Sequence, residues 1–346
     1  MGRSFIDTRM FEPFRNLWLA AYPSARLSRK PVAITLLGQP VVLFRPQPRA
    51  GAVALEDRCP HRNAPLSAGF VRDQCLVCPY HGWAFDAAGQ CQRIPGLCAP
   101  SPSRAQVTRY PVMERDGIVW VTFAASTPPL PYRPAHLVDS GSRHDCFVIQ
   151  VEMEGTLLNV IENFLDATHT HFVHPGLVRT DSRRSRSRVA IDVAGDRVEA
   201  TYFDEKPQSG IISRLFEQER KSSHGRFIWP GVAEIDIRSE RGVEFAITSY
   251  LTPDQEQRQR AQVIVAVHRG SGLIPRWIKQ VLLSPFLKAA IVQDQRIVRW
   301  QRENLERFGE ERFVSTELDL LRPHIRLLLE SGPGIRATHR EVVLEL

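Results

Sequence analysis

Nowhere in this chain do about 18 apolar residues follow one another, so the sequence gives no candidate for a membrane-spanning helix. The opening stretch MGRSFIDTRMFEPFRNLW mixes charges with aromatics and lacks the apolar core of a secretion signal. Gly2 is not followed by Ser or Thr at position 6, so it does not read as a myristoylation site. There is no internal repeat and no G-x-G-x-x-G fingerprint, so the chain is not expected to bind a nicotinamide dinucleotide itself. Cysteine is scarce, 6 in 346 residues. Without a secretion signal these residues read as thiols or metal ligands before disulfides, in a cytoplasmic protein. The composition is not that of a disordered chain: 43% hydrophobic and 24% charged residues belong to a globular protein. The length suffices for two domains, each with its own core. A net charge of +7 raises the question of nucleic acid. The densest basic stretch, RTDSRRSRSR (179–188), lacks interleaved aromatics and sits in no nucleic-acid module, so it reads as a solvated loop. A basic surface suits long-range attraction of an acidic protein partner instead.

What is present divides in two. PVAITLLGQPVVLFR (31–45) is a pair of β-branched runs around Gly38-Gln39, a hairpin pattern. GAVALED (51–57) and DGIVWVTF (116–123) add short strands, and between them residues 58–100 are rich in cysteine and proline. STPPLPYRP (126–134) has four prolines in nine residues and reads as a linker. This places one domain at 1–127 and a second at 128–346. In the second, FVIQVEMEG (147–155) alternates like a strand and 156–170 looks helical. Strands are expected at 187–203, 232–250 and 262–267, then a long helix from about 275 to 308, and a closing helix over STELDLLRPHIRLLLESG (315–332). Strands followed by a long helix indicate an α+β domain rather than a doubly wound one.

The cysteine-rich region contains CPHRNAPLSAG and CPYHGW. Cys59, His61, Cys78 and His81 give C-x-H, sixteen residues, then C-x2-H, so each loop offers one thiolate and one imidazole. In zinc fingers like ligands usually travel together. A mixed pair on each loop suits two irons better, one taking both thiolates and the other both imidazoles. Zinc on the same four residues remains the alternative, and a Cys75/Cys78 dithiol would leave Cys59, His61 and His81 unexplained. Cys91, Cys98 and Cys146 have no ligand spacing and read as small buried apolar residues. With Pro60 and Pro79 stiffening the loops, Gly82 allowing close approach and Trp83 able to shield the centre, the region resembles a Rieske 2Fe–2S protein.

The second constellation is NFLDATHTHFVHP (163–175). On a regular helix residues three or four apart share a face, which would pair His171 with His174 and set Asp166 over His169. Pro175 disturbs that count, because a helix usually ends at or before the residue preceding proline. Further on, Asp294 lies in AAIVQDQRIVRWQREN with Ala290, Ile291, Ile297 and Val298 on its own helical stripe. A carboxylate there is costly unless paired or bound to metal. The alternative to a metal is an ion pair with Arg296 or Arg299. Glu162, Glu303 and Glu310 read as surface or capping acids.

Asn163, Asp166, His169 and His174 resemble the N-x2-D-x2-H-x4-H motif of Rieske non-haem iron oxygenases. The resemblance implies His169, His174 and a late-helix carboxylate, Asp294, as ligands of a mononuclear iron(II), with His171 outside the set on the other helical face. It implies Asp166 as a group that accepts the His169 ring proton and bridges to His81 of a neighbouring protomer, and Asn163 as a residue near the iron. It further implies an all-β Rieske domain followed by a helix-grip, START-like catalytic domain, a homotrimeric ring, and electrons from NAD(P)H through a reductase or ferredoxin. The chain length and closing helix are similar to the single-subunit branch, which implies monooxygenation, by hydroxylation or by O- or N-demethylation, of a small aromatic or polycyclic organic substrate with dioxygen. Arene dihydroxylation is the enzymatic alternative and a non-catalytic electron carrier the rival from another class. Substrate-pocket residues are expected between Asn163 and Arg179, in FIWPGVAEIDI (227–237) and on the late helix, although Phe227, Ile228 and Trp229 each read first as strand core.

Overall fold

In a computed structural model of the chain, Leu37 and Gly38 both lie at positive φ, 51° and 76°, the backbone a two-residue hairpin turn demands. They join β2 (Val32–Leu36) to β3 (Gln39–Phe44), so the turn sits one residue earlier than Gly38-Gln39 suggested. The structure describes residues 8–97, 105–138, 143–179, 184–203, 210, 220–255, 257–269 and 276–346. They group into two units, Met1–Pro131 with Thr252–Glu256, and Tyr132–Leu251 with Gln257–Leu346.

The first unit is built from short strands because its apolar runs are short and punctuated by turn residues. Besides β2 and β3 these are β1 (Leu19–Pro23), β4 (Val53–Glu56), β5 (Phe70–Arg72), β6 (Cys75–Val77), β7 (Ala84–Phe85), β8 (Cys91–Arg93), β9 (Arg109–Tyr110), β10 (Val112–Arg115) and β11 (Ile118–Val121). They make three sheets, β1-β11-β10, β2-β3-β4-β9 and β5-β6-β7-β8. One core cluster joins Val42, Phe44, Leu55, Leu76 and Phe85 to Cys59 and Cys78. The two cysteines are therefore anchored by hydrophobic packing.

The second unit is one antiparallel sheet of eight strands, order β12-β18-β17-β16-β15-β14-β13-β19. Its strands are β12 (His144–Met153), β13 (Arg186–Gly195), β14 (Arg197–Phe203), β15 (Ser222–Ile228), β16 (Val232–Ser239), β17 (Gly242–Gln255), β18 (Arg258–His268) and β19 (Ile335–Glu345). Three helices matter for the site: α2 (Leu157–Leu165), α3 (Thr170–Val173) and the 33-residue α4 (Arg276–Phe308), with α1 (Ala135–Val138) before them and α5 (Arg322–Ser331) after. The fold is α+β, a unit of short strands followed by a large antiparallel sheet with a long helix. Among the described residues no helix is long and apolar enough to cross a membrane.

Several expected elements divide. Residues 187–203 are two strands, β13 and β14, reversing at Asp196, and 232–250 are also two, β16 and β17. Both hairpins were hidden because short polar turns interrupt otherwise continuous β-branched runs. The closing helix begins only at Arg322, with Pro323 in its first turn, where proline is tolerated. The expected helix at 156–170 stops at Leu165. The basic stretch is not simply a solvated loop: Arg179 is buried, and Arg186 and Arg188 are in β13. Cys91 and Cys146 are half-buried rather than core, and Cys98 lies outside the described residues.

Candidate metal centres

Cys59 and Cys78 head two loops that are conformational copies. The Cys59 amide donates to the Ala64 carbonyl and the Asn63 amide to the Cys59 carbonyl; the Cys78 amide donates to the Trp83 carbonyl and the Gly82 amide to the Cys78 carbonyl. In each loop the residue four after the cysteine takes positive φ, Asn63 at 58° and Gly82 at 73°, a conformation asparagine and glycine accept best. A Cβ on Gly82 would also come to 3.0 Å from Pro95. The two loops bring like with like. The Cys59 and Cys78 side chains, both buried, contact each other. The His61 and His81 rings lie 4.6 Å apart, and His61 stacks on Trp83 at 4.6 Å with 7° between planes.

This arrangement tests zinc against two irons. One tetrahedral ion would gather all four donors about a point, yet among the described residues only His169, His174 and Asp294 bring three donor atoms within 4.8 Å of one another. A thiol pair beside an imidazole pair is what a Rieske cluster needs. Burial, the largest influence, pushes the Cys59 thiol up to about 11, so a thiolate there needs a metal cation. His61 Nδ1 is likewise buried without a protein partner. His81 is exposed, which leaves an edge of the site facing outward.

In the second unit the helix breaks where the histidines begin. Asp166 caps α2 with extended backbone (φ −72°, ψ 121°). Its carboxylate then accepts from the Thr168 amide (2.7 Å), the Thr168 hydroxyl (2.7 Å) and the His169 amide (3.1 Å). Those are the bonds an aspartate makes at a turn and helix start. After one turn of α3, His174 leaves helical geometry at φ −118°, ψ 50°. Residues five apart point to different sides of a straight helix; the break and the distorted end bring His169 and His174 together.

The result is a triangle. His169 Nε2 lies 3.3 Å from His174 Nε2 and 3.4 Å from Asp294 Oδ1, and His174 Nε2 lies 3.1 Å from the same oxygen. Bonds of about 2.1 Å to one ion give donor separations of roughly 3.0–3.4 Å for right-angled to tetrahedral geometry, so the triangle fits one face of a metal ion. The outer nitrogens fix the tautomers. His169 Nδ1 meets the Asp166 main-chain carbonyl at 2.7 Å, and His174 Nδ1 meets Gln293 Oε1 at 2.8 Å. An Nδ1–H donated to each acceptor leaves both Nε2 lone pairs facing Asp294. Two lone pairs and a carboxylate oxygen so close repel unless a cation sits among them. With no metal bound, a proton on Nε2 takes the cation's place: burial pushes the Asp294 carboxyl up, but the hydrogen bonds donated by the protonated histidines outweigh it and hold it at about 2. Burial likewise opposes charge on His174, yet its bond to Asp294 raises its pKa.

Some expected roles change. Asp166 does not take the His169 ring proton on its carboxylate, which is 3.8 Å away; its carbonyl does so, because the carboxylate is engaged in capping. His171 lies outside the triangle and is buried, at 2% exposure. Asn163 Nδ2 donates to Asp294 Oδ1 at 3.2 Å. Arg296 lies over Trp300 and Arg299 reaches Glu303 at 3.9 Å, so neither supplies the alternative ion pair. Glu162 is no surface acid: burial drives its carboxyl pKa up, and it binds Arg322. Glu303 and Glu310 are at the surface, paired with Arg299 and Arg312. Gln293 escaped the sequence reading, although a glutamine flanking Asp294 in an apolar stretch was a usable signal.

Asp294 also lines a cavity of about 130 Å³. On α4 it follows Leu287, Ala290 and Ile291 at helical spacing, and all four line this space. Phe227, Ile228 and Trp229 do not; the first two are strand core.

A profile of the Rieske [2Fe-2S] domain matches residues 17–111. A profile of the vanillate O-demethylase oxygenase C-terminal domain matches residues 153–331, just over half of the chain. The putative toluene-4-sulfonate monooxygenase system iron-sulfur subunit TsaM2 of Comamonas testosteroni is 41% identical over 177 residues, 49% of each chain. The oxygenase component of dicamba O-demethylase from Stenotrophomonas maltophilia is 36% identical over 172 residues, 49% of this chain and 50% of that one. Each alignment thus spans about half the length of the relative. The crystal structure of dicamba monooxygenase bound to 3,6 dichlorosalicylic acid superposes with a TM-score of 0.75 at 25% identity, over 92% of this chain and 97% of the other.

Proposed function

Because this chain belongs to the Rieske oxygenases that carry a vanillate O-demethylase-type C-terminal domain, we propose that it is the terminal oxygenase of a multicomponent system. In this reading it monooxygenates a small aromatic molecule, by hydroxylation or by removing a methyl group from oxygen or nitrogen. The observation that carries the proposal is the His169–His174–Asp294 triangle, whose carboxylate lines an apolar cavity. An electron carrier has no use for such a site, whereas a facial triad leaves coordination positions open.

Cys59, His61, Cys78 and His81 hold a 2Fe–2S cluster, and His169, His174 and Asp294 hold iron(II). When bound, the first group supplies electrons one at a time and the second supplies dioxygen activation. The chain's own residues do the rest. The Asp166 carbonyl and Gln293 fix the imidazole tautomers, Asn163 steadies the carboxylate, and the apolar walls exclude water from the reacting substrate. The reducing equivalents come from NAD(P)H through a flavin reductase or ferredoxin, in the cytoplasm. The protomers close into a homotrimer in which His81 of one reaches Asp166 of the next. The exposure of His81 is consistent with that link.

Anaerobic reconstitution with ferrous salt and sulfide tests the reading. We expect three irons and two sulfides per chain, and two irons for Asp294→Ala with an unchanged visible spectrum. Wild-type protein that never exceeds two irons would overturn it.

A further inference from the structure

We propose, on the basis of the oxygenase reading above, that the cavity takes an uncharged, single-ring arene bearing a methyl or methoxy group, and rejects aromatic carboxylates and sulfonates.

The walls follow from strand alternation. β12, β18 and β17 are neighbours in the sheet, and on each strand every second residue faces one side. Ile149, Val151 and Met153 of β12, with Val263 and Val265 of β18, line the space. Phe164 from α2 and the Asp294 stripe of α4 also line it. Among the described residues around it there is no lysine, arginine or histidine; Ser249 brings the one neutral hydroxyl and Asp294 the one charge.

An anionic substituent therefore has no good orientation. Turned toward the described walls it meets alkyl groups, the Phe164 ring and one hydroxyl but no cation, and an unpaired charge in such surroundings is strongly disfavoured. Turned toward the triangle it occupies the place that the reacting methyl or ring carbon must take. A methoxy oxygen, by contrast, asks for no more than the Ser249 hydroxyl can donate. Size sets the second limit. A cavity of about 150 Å³ admits benzene and stays dry when empty, and this one is about 130 Å³. That is the scale of one ring rather than two, so a fused second ring is expected to bind more weakly. The sulfonate in the name of the TsaM2 system is therefore not a guide to this chain's ligand.

Calorimetric titration of the oxidised, iron-loaded holoenzyme tests this without turnover. The probes are 4-methylanisole, 4-methoxybenzoate, toluene-4-sulfonate and 2-methoxynaphthalene. We expect 4-methylanisole to bind, and the two anions at least about 100-fold more weakly, because no cation among the described lining residues would pair with them. Val265→Ala should admit 2-methoxynaphthalene while the anions stay excluded, which locates the binding in this cavity; Val263→Ala serves if that variant fails to fold. Anions binding within about 100-fold of 4-methylanisole, or no binding by 4-methylanisole, overturns the inference. Dioxygen uptake by the reduced enzyme separates the two claims. Tight, selective 4-methylanisole binding without any uptake leaves the pocket inference standing and sinks the oxygenase reading. Uptake driven equally by the benzoate does the reverse.

Discussion

Each histidine of the triangle is held at its outer nitrogen by a different kind of acceptor. His169 leans on a main-chain carbonyl, which no substitution of a side chain removes directly, whereas His174 leans on the Gln293 side chain. Acceptors of this kind orient the ring and raise its basicity, and losing one typically costs about 10–100-fold in metal affinity. Gln293→Leu is therefore expected to weaken ferrous iron binding by about that factor. Ferrous titration of the iron-depleted protein measures it, with the cluster absorbance unchanged as the control. Affinity equal to wild type would show that His174 is oriented by packing alone.

The interruption between α2 and α3 matters as much as any ligand. A continuous helix would turn His174 away from His169, and the Asp166 carboxylate holds the interruption by taking two amides and a hydroxyl. A capping aspartate replaced by alanine usually costs about 1 kcal/mol. Asp166→Ala should lower stability by about that amount and also reduce iron content, while Asp166→Asn, still able to cap, should restore the iron. Electron delivery should stay impaired in both if the negative charge links protomers. Iron analysis and single-turnover reduction separate the two effects; full iron in Asp166→Ala would refute the capping role. The two cysteine loops make the same point, since matched turns carry the like pairs of ligands.

The candidate cluster and the candidate iron site fall in different units of the chain. If electrons pass between protomers, chains carrying Cys78→Ser and chains carrying Asp294→Ala should each be inactive alone. Co-expressed, they should recover about a quarter of wild-type turnover, the random-mixing fraction of contacts joining an intact cluster to an intact iron in a head-to-tail ring. No recovery in verified mixed oligomers would place the transfer within one chain.

Much of this was legible from residues alone. Cys59, His61, Cys78 and His81 carry their chemistry in their spacing, and Asp294 was marked by sitting among Ala290, Ile291 and Val298, where a lone carboxylate is costly. Spacing could not pair His169 with His174, because helical periodicity holds only while the helix continues, and the Asp166 cap ends it. Nor could it place Gln293 against His174, 119 residues away in sequence, or show that alternate residues of three strands and a stripe of α4 enclose one apolar cavity. Which side chains offer ligand atoms is a local property of the chain, and the sequence determines it. Convergence of distant side chains is set by how strands and helices pack, and only the tertiary structure decides it.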